Sequence, residues 1–347
     1  MITNGTPLYD VVIAGGSYAG LAAATSLRAR ALIIDQHQIG AIQHSACAIP
    51  LDIAQRFDVE ETVLQVYSTG YVHTVSGTAA FRLQPRYCIF DHQRLCQTLF
   101  ARSGAQFLRA RIQGLEGNTV LTSAGPVTGR VLIDATGWPA ALATARRPAL
   151  EDRERLTVAM EAEIPGGADG IHFYFDPAIV RHGYAWMFPA GDTLRIGVGS
   201  YVRQSGLTEA LHRFLAFLGH RGKPRRGGMI PWFDRPPTVG NIFLAGDAAG
   251  HCVPLTAEGI RFALHFGELA GRVAREVVDG QLPLEAGLAS YRLWVETHRR
   301  RMSLMRFAQS LVGRMPNHGI ALSARLLALP PVEPRFMERY ARWTGTR

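Results

Sequence analysis

Apolar positions near the start of the chain fall in short unbroken runs. Tyr9 to Ala14 (YDVVIA) predicts a strand buried on both faces. It enters a glycine-rich stretch, Gly15 to Gly20, then an Ala/Leu run over Leu21–Ala29 that predicts a helix. A second buried run, Ala31 to Ile34, ends on Asp35, which completes one βαβ unit. Residues 41 to 85 are mixed and yield no assigned element. A helix is predicted around Leu95–Ala101, and a buried strand over Arg130–Asp134 (RVLID) runs into Ala135-Thr136-Gly137. From Leu156 to Tyr201 the pattern alternates between apolar and polar with glycine breaks, including Gly170–Phe175 and Thr193–Ser200. That change predicts an antiparallel sheet inserted into an α/β fold. A helix over Thr208–Leu218 and a Gly/Pro/Arg-rich linker, Gly219 to Pro237, follow. The α/β pattern then resumes with a strand at Asn241–Ala245, the stretch Gly246 to Gly250, and a long helix from about Gly259 to Asp279. The remainder, Leu288 to Arg347, reads as helical and basic.

The expected architecture is therefore α/β, with a discontinuous first domain (1–155 and 236–290), an inserted sheet domain (156–235) and a C-terminal helical segment (291–347). With 347 residues, 47% of them hydrophobic and 19% charged, the chain can bury a large core without covalent staples. Cys47, Cys88, Cys96 and Cys252 are widely and irregularly spaced, which excludes a disulfide scaffold and gives no zinc or redox pair. No metal site is expected. No run of about 18 apolar residues is present, so no membrane span is predicted. The polar N-terminus lacks the pattern of a signal peptide, and a cytoplasmic protein is expected. The net charge of +9 invites a nucleic-acid reading. Yet Lys223 is the only lysine, the arginines concentrate late in the chain, and no nucleic-acid motif accompanies them. Nucleic acid is not an expected partner.

Gly15-Gly16-Ser17-Tyr18-Ala19-Gly20 fits GxGxxG except that Ser17 stands at the second glycine position. In such a loop the first glycine makes the tight turn, the middle position lets backbone approach a pyrophosphate, and Gly20 allows close helix–strand packing. The following helix start offers N–H donors and a positive dipole end to phosphates, and the Ser17 hydroxyl adds a donor. Asp35, 20 residues after Gly15, suits the ribose hydroxyls and disfavours a 2′-phosphate, leaving FAD or NAD. The second element decides between them. Asn241 to Gly250 (NIFLAGDAAG) presents Gly246 and Asp247 at the carboxyl end of a strand, where a carboxylate can bond a ribityl hydroxyl. In the turn His251 to Ile260, the helix starting near Gly259 and Ile260 suits the negative charge of a reduced flavin. A nicotinamide enzyme needs no such element, so the expected cofactor is FAD.

These residues resemble FAD-dependent oxidoreductases of the p-hydroxybenzoate hydroxylase type and, within them, the geranylgeranyl reductase family. The likeness spans about residues 8 to 275. It rests on Gly15 to Gly20, Asp35, Ala135-Thr136-Gly137, the GDAAG stretch, the P-x-x-x-E-G turn of Pro254, Glu258 and Gly259, and Gly183 to Pro189 (GYAWMFP). The last is similar to the family's Y-x-W-x-F-P element, with Tyr184, Trp186, Phe188 and Pro189 in register. The resemblance implies a Rossmann-like FAD domain interrupted by a sheet-based substrate domain, with the flavin ring where they meet. It implies a cofactor contact near Arg86 or His92, Cys47 close to the flavin, and Trp186, Phe188 and Pro254 about an apolar substrate. Two departures stand out: neither Arg86 nor His92 aligns cleanly with the family's cofactor-touching arginine, and the family's Cys-Gly segment is kept only as Cys47-Ala48-Ile49-Pro50.

Several residues carry two readings. Cys47 is either a flavin-facing thiol or a small buried side chain. Tyr184 and Trp186 point to one face of their strand and form either an aromatic substrate wall or core packing. Tyr184 is a candidate proton donor despite an ordinary pKa near 10. Glu258 fits a structural role at the helix start. The helix around Tyr291–Arg314 is either a solvated face or an amphipathic segment resting on a membrane. For function, reduction of C=C bonds in an apolar, prenyl-like substrate stands first. An FAD monooxygenase or halogenase-like enzyme acting on a small aromatic molecule, and a non-enzymatic flavin-binding protein, stand as alternatives. The electron donor, NAD(P)H or a ferredoxin-like protein, is left open.

Overall fold

The protein is described by a computed structural model covering residues 2–344, except 4, 5, 28, 155, 203–205, 232, 254, 255, 313, 314, 316–318, 320, 321, 324, 325, 327, 328, 330 and 331. Its first sheet has a parallel centre in the order Ile242–Leu244, Gly125–Asp134, Thr6–Ala14, Ala31–Asp35, Gln106–Arg109. Val11 and Ile13 face one side of it, packing with the helices Tyr18–Ser26 and Ile260–Val278, while Val12 and Ala14 face the other. All four are fully buried, which is why the run carries no polar alternation. The edge strand Gln106–Arg109 escaped the sequence pattern. Its outer positions are exposed and polar, so it shows no continuous apolar run.

Among the described residues the second sheet has eight strands, in the order Arg226–Pro231, Leu156–Pro165, Thr193–Ser200, Gly183–Ala190, Ile171–Phe175, Val63–Thr74, Gly77–Phe90, Ala48–Pro50. All its pairings are antiparallel except that of Ile171–Phe175 with Val63–Thr74. This sheet therefore extends outside residues 156–235. The unassigned stretch 41 to 85 supplies most of a long hairpin, Val63–Thr74 with Gly77–Phe90. Half-buried side chains on both faces of that hairpin blur the alternation that would have revealed it. The supposed linker likewise contains a strand, Arg226–Pro231, paired with Leu156–Pro165. Helix Leu207–Phe217 covers the outer face of this sheet.

Small residues join the two ends of the chain. In helix Ile260–Val278, a Cβ at Gly267 would lie 2.2 Å from the Ala19 carbonyl oxygen, and one at Gly271 would lie 2.1 Å from that of Ala23. Two helices thus meet backbone to backbone, across Ala19 and Ala23 of helix Tyr18–Ser26. Each mid-helix glycine costs about 1 kcal/mol of helix propensity relative to alanine, and the close approach offsets it. The helices Leu284–Arg301, Ser303–Val312 and Glu333–Thr344 complete the fold. No helix among the described residues is long and apolar enough to cross a membrane.

Gly267→Leu is expected to force the two helices apart and destabilise the protein by about 3 kcal/mol. Gly114→Ala, whose added Cβ would meet nothing nearer than Leu121 Cδ1 at 3.5 Å, is expected to change stability by about 0.5 kcal/mol or less. Urea unfolding midpoints of the two variants check the contrast.

Candidate active site

The first sheet aims its strand ends at a cavity of about 1000 Å³ that continues onto the second sheet. At one end lies the glycine loop. Gly15 has φ +103°, and a Cβ there would sit 2.2 Å from the Ala135 carbonyl oxygen; at Gly20 it would sit 1.9 Å from that of Gly15. No other residue type fits these two turns. Gly16 N–H donates to Asp35 Oδ2 and His37 N–H to Asp35 Oδ1, both at 2.8 Å. Asp35 therefore fastens the loop as well as lining the cavity. Ser17 is exposed, makes no side-chain cap, and lines the cavity; the first helical bond runs from Leu21 N–H to Ser17. The N–H groups of Tyr18, Ala19 and Gly20 precede that bond, so an uncapped helix start opens on the cavity.

The opposite wall comes from the far end of the chain. Gly246 has φ +65° and packs toward Ala19, and Asp247 lines the cavity beside it. Burial pushes the Asp247 carboxyl up to about 6, against the pull of Arg235. Arg235 is itself buried and donates to the carbonyls of Leu150, Asp247 and Ala248, which fixes the GDAAG turn from below. A second helix start without a side-chain cap follows, at Gly259 and Ile260, and both residues line the same cavity. Asp134 organises the neighbouring Ala135-Thr136-Gly137 turn. It accepts from the Thr136 N–H and hydroxyl and from the N–H groups of Leu142 and Ala143.

The substrate-side wall is aromatic. Tyr184, Trp186 and Phe188 share one face of their strand and line the cavity with Phe173 and Phe175. Tyr184 donates to the Thr256 carbonyl at 2.9 Å, and burial raises its pKa far above the ordinary value. Its proton is thus held by the turn before helix Ile260–Val278, an arrangement that positions that turn. Trp186 Nε1 donates to Glu161 at 3.1 Å. Glu161 was not singled out from the sequence, because an acid in an alternating strand reads as the solvent face; here it is buried and lines the cavity.

The last helix adds a wall that the sequence pattern did not reveal. Phe336, Met337 and Tyr340 line the cavity, together with Met305 and Ala308 of helix Ser303–Val312. Glu258 clamps this helix in place. It accepts from Tyr87 at 2.9 Å, from Arg261 at 2.6 Å and from Tyr340, while Arg261 reaches Thr344 at 3.1 Å. The role expected of Glu258 at the helix start is corrected: it makes no cap there and instead ties Tyr87 and Arg261 to the last helix.

Of the other candidates, His92 lines the cavity and is buried, with Nδ1 2.7 Å from the Tyr18 hydroxyl. Burial lowers its pKa to about 4, so it is neutral near neutrality. Cys47 differs from the expected flavin-facing thiol. Its φ of +60° turns the side chain into the core, it is fully buried, and it is absent from the cavity lining. Its thiol donates to the Ser45 carbonyl at 3.2 Å and lies 3.5 Å from the Tyr18 hydroxyl. Pro254 lies outside the described residues.

A parallel sheet with a glycine turn and an aromatic-lined second sheet thus meet at one cavity, and comparison with known proteins places this arrangement. A digeranylgeranylglycerophospholipid reductase of Methanoculleus marisnigri is 30% identical over 311 residues, 78% of this chain and 77% of that protein. A geranylgeranyl diphosphate reductase of Rhodobacter capsulatus is 27% identical over 311 residues, 81% of this chain and 78% of its own. Among solved structures, a geranylgeranyl bacteriochlorophyll reductase-like protein from Thermoplasma acidophilum superposes with a TM-score of 0.81 at 18% identity, over 98% of this chain and 100% of its own. A flavin-dependent brominase gives 0.75 at 16% identity, over 98% and 94%. No protein-family profile matches the chain. The chain belongs to the geranylgeranyl reductase family.

Burial pushes the Cys47 thiol up to about 11, so it is protonated at pH 8 as well as enclosed. Iodoacetamide at pH 8 is expected to leave Cys47 unmodified in the native protein and to label it after denaturation. Peptide mass spectrometry of both samples checks this.

Proposed function

We propose that this protein binds one FAD and uses it to saturate C=C bonds of an isoprenoid chain. The observation that carries the reading is the continuity of one cavity, from two helix starts without side-chain caps to a wall of aromatic rings. Its volume of about 1000 Å³ lies at the top of the usual range of about 300–1,000 Å³ for small-molecule sites, as a dinucleotide plus a substrate would require. The donor set fits FAD. Asp35 suits the ribose, Ser17 with the first-turn N–H groups of Tyr18 and Ala19 suits the pyrophosphate, and Asp247 suits the ribityl hydroxyls. The helix start at Gly259 and Ile260 suits the electron-rich edge of the reduced ring, and His92 borders the same space. Reduced FAD, when bound, would supply a hydride to one alkene carbon, and a proton taken up from solvent would complete the addition at the other. The chain's own part is to exclude water and hold an alkene, through Phe173, Tyr184, Trp186 and Phe188 on one side and Met305, Phe336 and Met337 on the other.

The relatives' names point to prenyl lipids, and the apolar lining supports such a substrate here. Helix Leu284–Arg301 exposes Leu293 and Trp294 two turns before the exposed Arg300 and Arg301, and helix Ser303–Val312 exposes Phe307 and Leu311. Exposed apolar and arginine side chains on these helices suit an anionic lipid surface from which a prenyl chain would enter. An oxygen-using reaction is the second reading, because a fold shared with a flavin-dependent brominase does not by itself separate the two chemistries.

Two outcomes are expected. Only the ionised Asp247 accepts hydroxyl hydrogen bonds on both oxygens, and its pKa is raised to about 6. FAD affinity should therefore rise about tenfold between pH 5 and pH 7, and Asp247→Asn should flatten that rise. Titration of FAD into FAD-free protein at each pH measures it. Second, anaerobically reduced, FAD-loaded protein mixed with anionic vesicles carrying geranylgeraniol should sediment with them and yield product heavier by two hydrogens per double bond reduced. An unchanged alcohol would remove the reductase reading. Oxygenated product on admitting O₂ would install the second one, and protein left in the supernatant would remove the lipid surface.

A further inference from the structure

Strand Thr193–Ser200 turns Leu194, Ile196 and Val198 toward the core beneath helix Leu207–Phe217, so Arg195, Gly197 and Gly199 face the cavity side of the sheet. The cross-strand neighbours of Arg195 are Glu163 and Phe188, and Phe188 lines the cavity. Arg195 is only 5% exposed. Its Nη1 donates to the carbonyls of Ala46 at 2.9 Å and Phe90 at 3.2 Å, and its Nε has no hydrogen-bond partner. It makes no ion pair with a carboxylate among the described residues. Glu163, directly across from it, is taken by Arg225 and Arg226, and Arg226 also lies 3.6 Å from Glu161. Glu161 in turn accepts from Trp186, whose ring reaches it across Gly197. A buried cation that meets only neutral acceptors is costly, so its place beside the cavity calls for a counter-charge.

That charge is felt inside the cavity. Ala46, whose carbonyl it holds, lines the cavity with Ser45 and Ala48, and Phe90 stands two residues before His92. Burial dominates the ionisation of Tyr18, Cys47, His92 and Glu161, and the Arg195 charge acts on all four. Three of these, Tyr18, His92 and Glu161, are cavity-lining residues. Burial keeps Tyr18, Cys47 and His92 uncharged near neutrality, so none of them supplies the missing anion.

We propose that Arg195 is a positioning residue for the reduced cofactor: from behind the Ser45–Ala48 segment, its charge favours reduced FAD, whose ring carries one negative charge, over oxidised FAD, whose ring carries none. The proposal rests on the FAD reading of the cavity and adds the residue that sets the potential of the bound ring. Arg195 does not itself line the cavity, so it acts through its field and through the Ala46 carbonyl. The helix start at Gly259 and Ile260 offers the same anion about half a charge, and the guanidinium offers a whole one. Glu161, on the same side of the sheet, acts in the opposite sense.

The test reads the affinity of the full-length protein for reduced relative to oxidised FAD, obtained from the potential of the bound against the free cofactor with a redox dye. Dithionite supplies the two electrons, and water supplies the single proton that the ring takes up. Arg195→Gln keeps an amide donor but removes the charge, and should lower the ratio at least tenfold, about 30 mV for a two-electron couple. Arg195→Lys keeps the charge and should stay within threefold of wild type. A wild-type ratio in Arg195→Gln, or an equal loss in Arg195→Lys, would overturn the proposal. Should Arg195→Gln fail to fold, Glu161→Gln decides the matter. Removing the opposing charge should raise the ratio at least threefold, and no rise would overturn the proposal. Wild type that takes up no FAD would instead overturn the cofactor reading.

Discussion

Backbone contact between helix Tyr18–Ser26 and helix Ile260–Val278 is the constraint on which the site depends. The helices come from opposite ends of the chain, and each begins at the cavity. Gly267 and Gly271 bring the second helix onto Ala19 and Ala23 so closely that a single added methyl would overlap a carbonyl oxygen. That crossing fixes the distance between the two helix starts. It also sets Gly246 against Ala19 and places Asp247 opposite the glycine loop. Packing density of this kind tolerates little adjustment, so the spacing of the two anion-favouring ends is built into the fold.

Around that crossing the molecule divides its labour. The parallel sheet delivers polar groups at its carboxyl ends, each fastened by short local bonds: Asp35 to its own loop, Asp134 to the Thr136 turn, Arg235 beneath GDAAG. The second sheet delivers apolar surface, and the last helix closes it through Glu258, Tyr87 and Tyr340. The side chains at the junction are thus held mainly by local hydrogen bonds and packing. Tyr184 and Cys47, the two side chains most suggestive of reactivity, are both committed to hydrogen bonds with backbone carbonyls.

Much of this was legible in the chain because it is local. The strand, glycine turn, helix and acid of the N-terminal unit lie within 30 residues, and GDAAG repeats the logic once. Other features depend on partners far away in sequence. Gly267 and Gly271 read as weak points in a helix until Ala19 and Ala23 are brought against them. Glu161 reads as a solvent-facing acid until the absent side chain at Gly197 lets Trp186 reach it. The hairpin Val63–Thr74 with Gly77–Phe90 was hidden because its side chains are only partly buried. The direction of Cys47 depends on a left-handed backbone angle that no spacing rule conveys.

The central claim is that one FAD is gripped jointly by the loop at Gly15–Asp35 and by the turns at Gly246–Ile260. The most direct measurement is calorimetric titration of FAD-free full-length protein with FAD, with FMN and with ADP. The account predicts one FAD per chain, much weaker FMN because the adenosine half goes ungripped, and displacement of FAD by excess ADP. Equal affinity for FMN and FAD, or no uptake of either flavin, would contradict it.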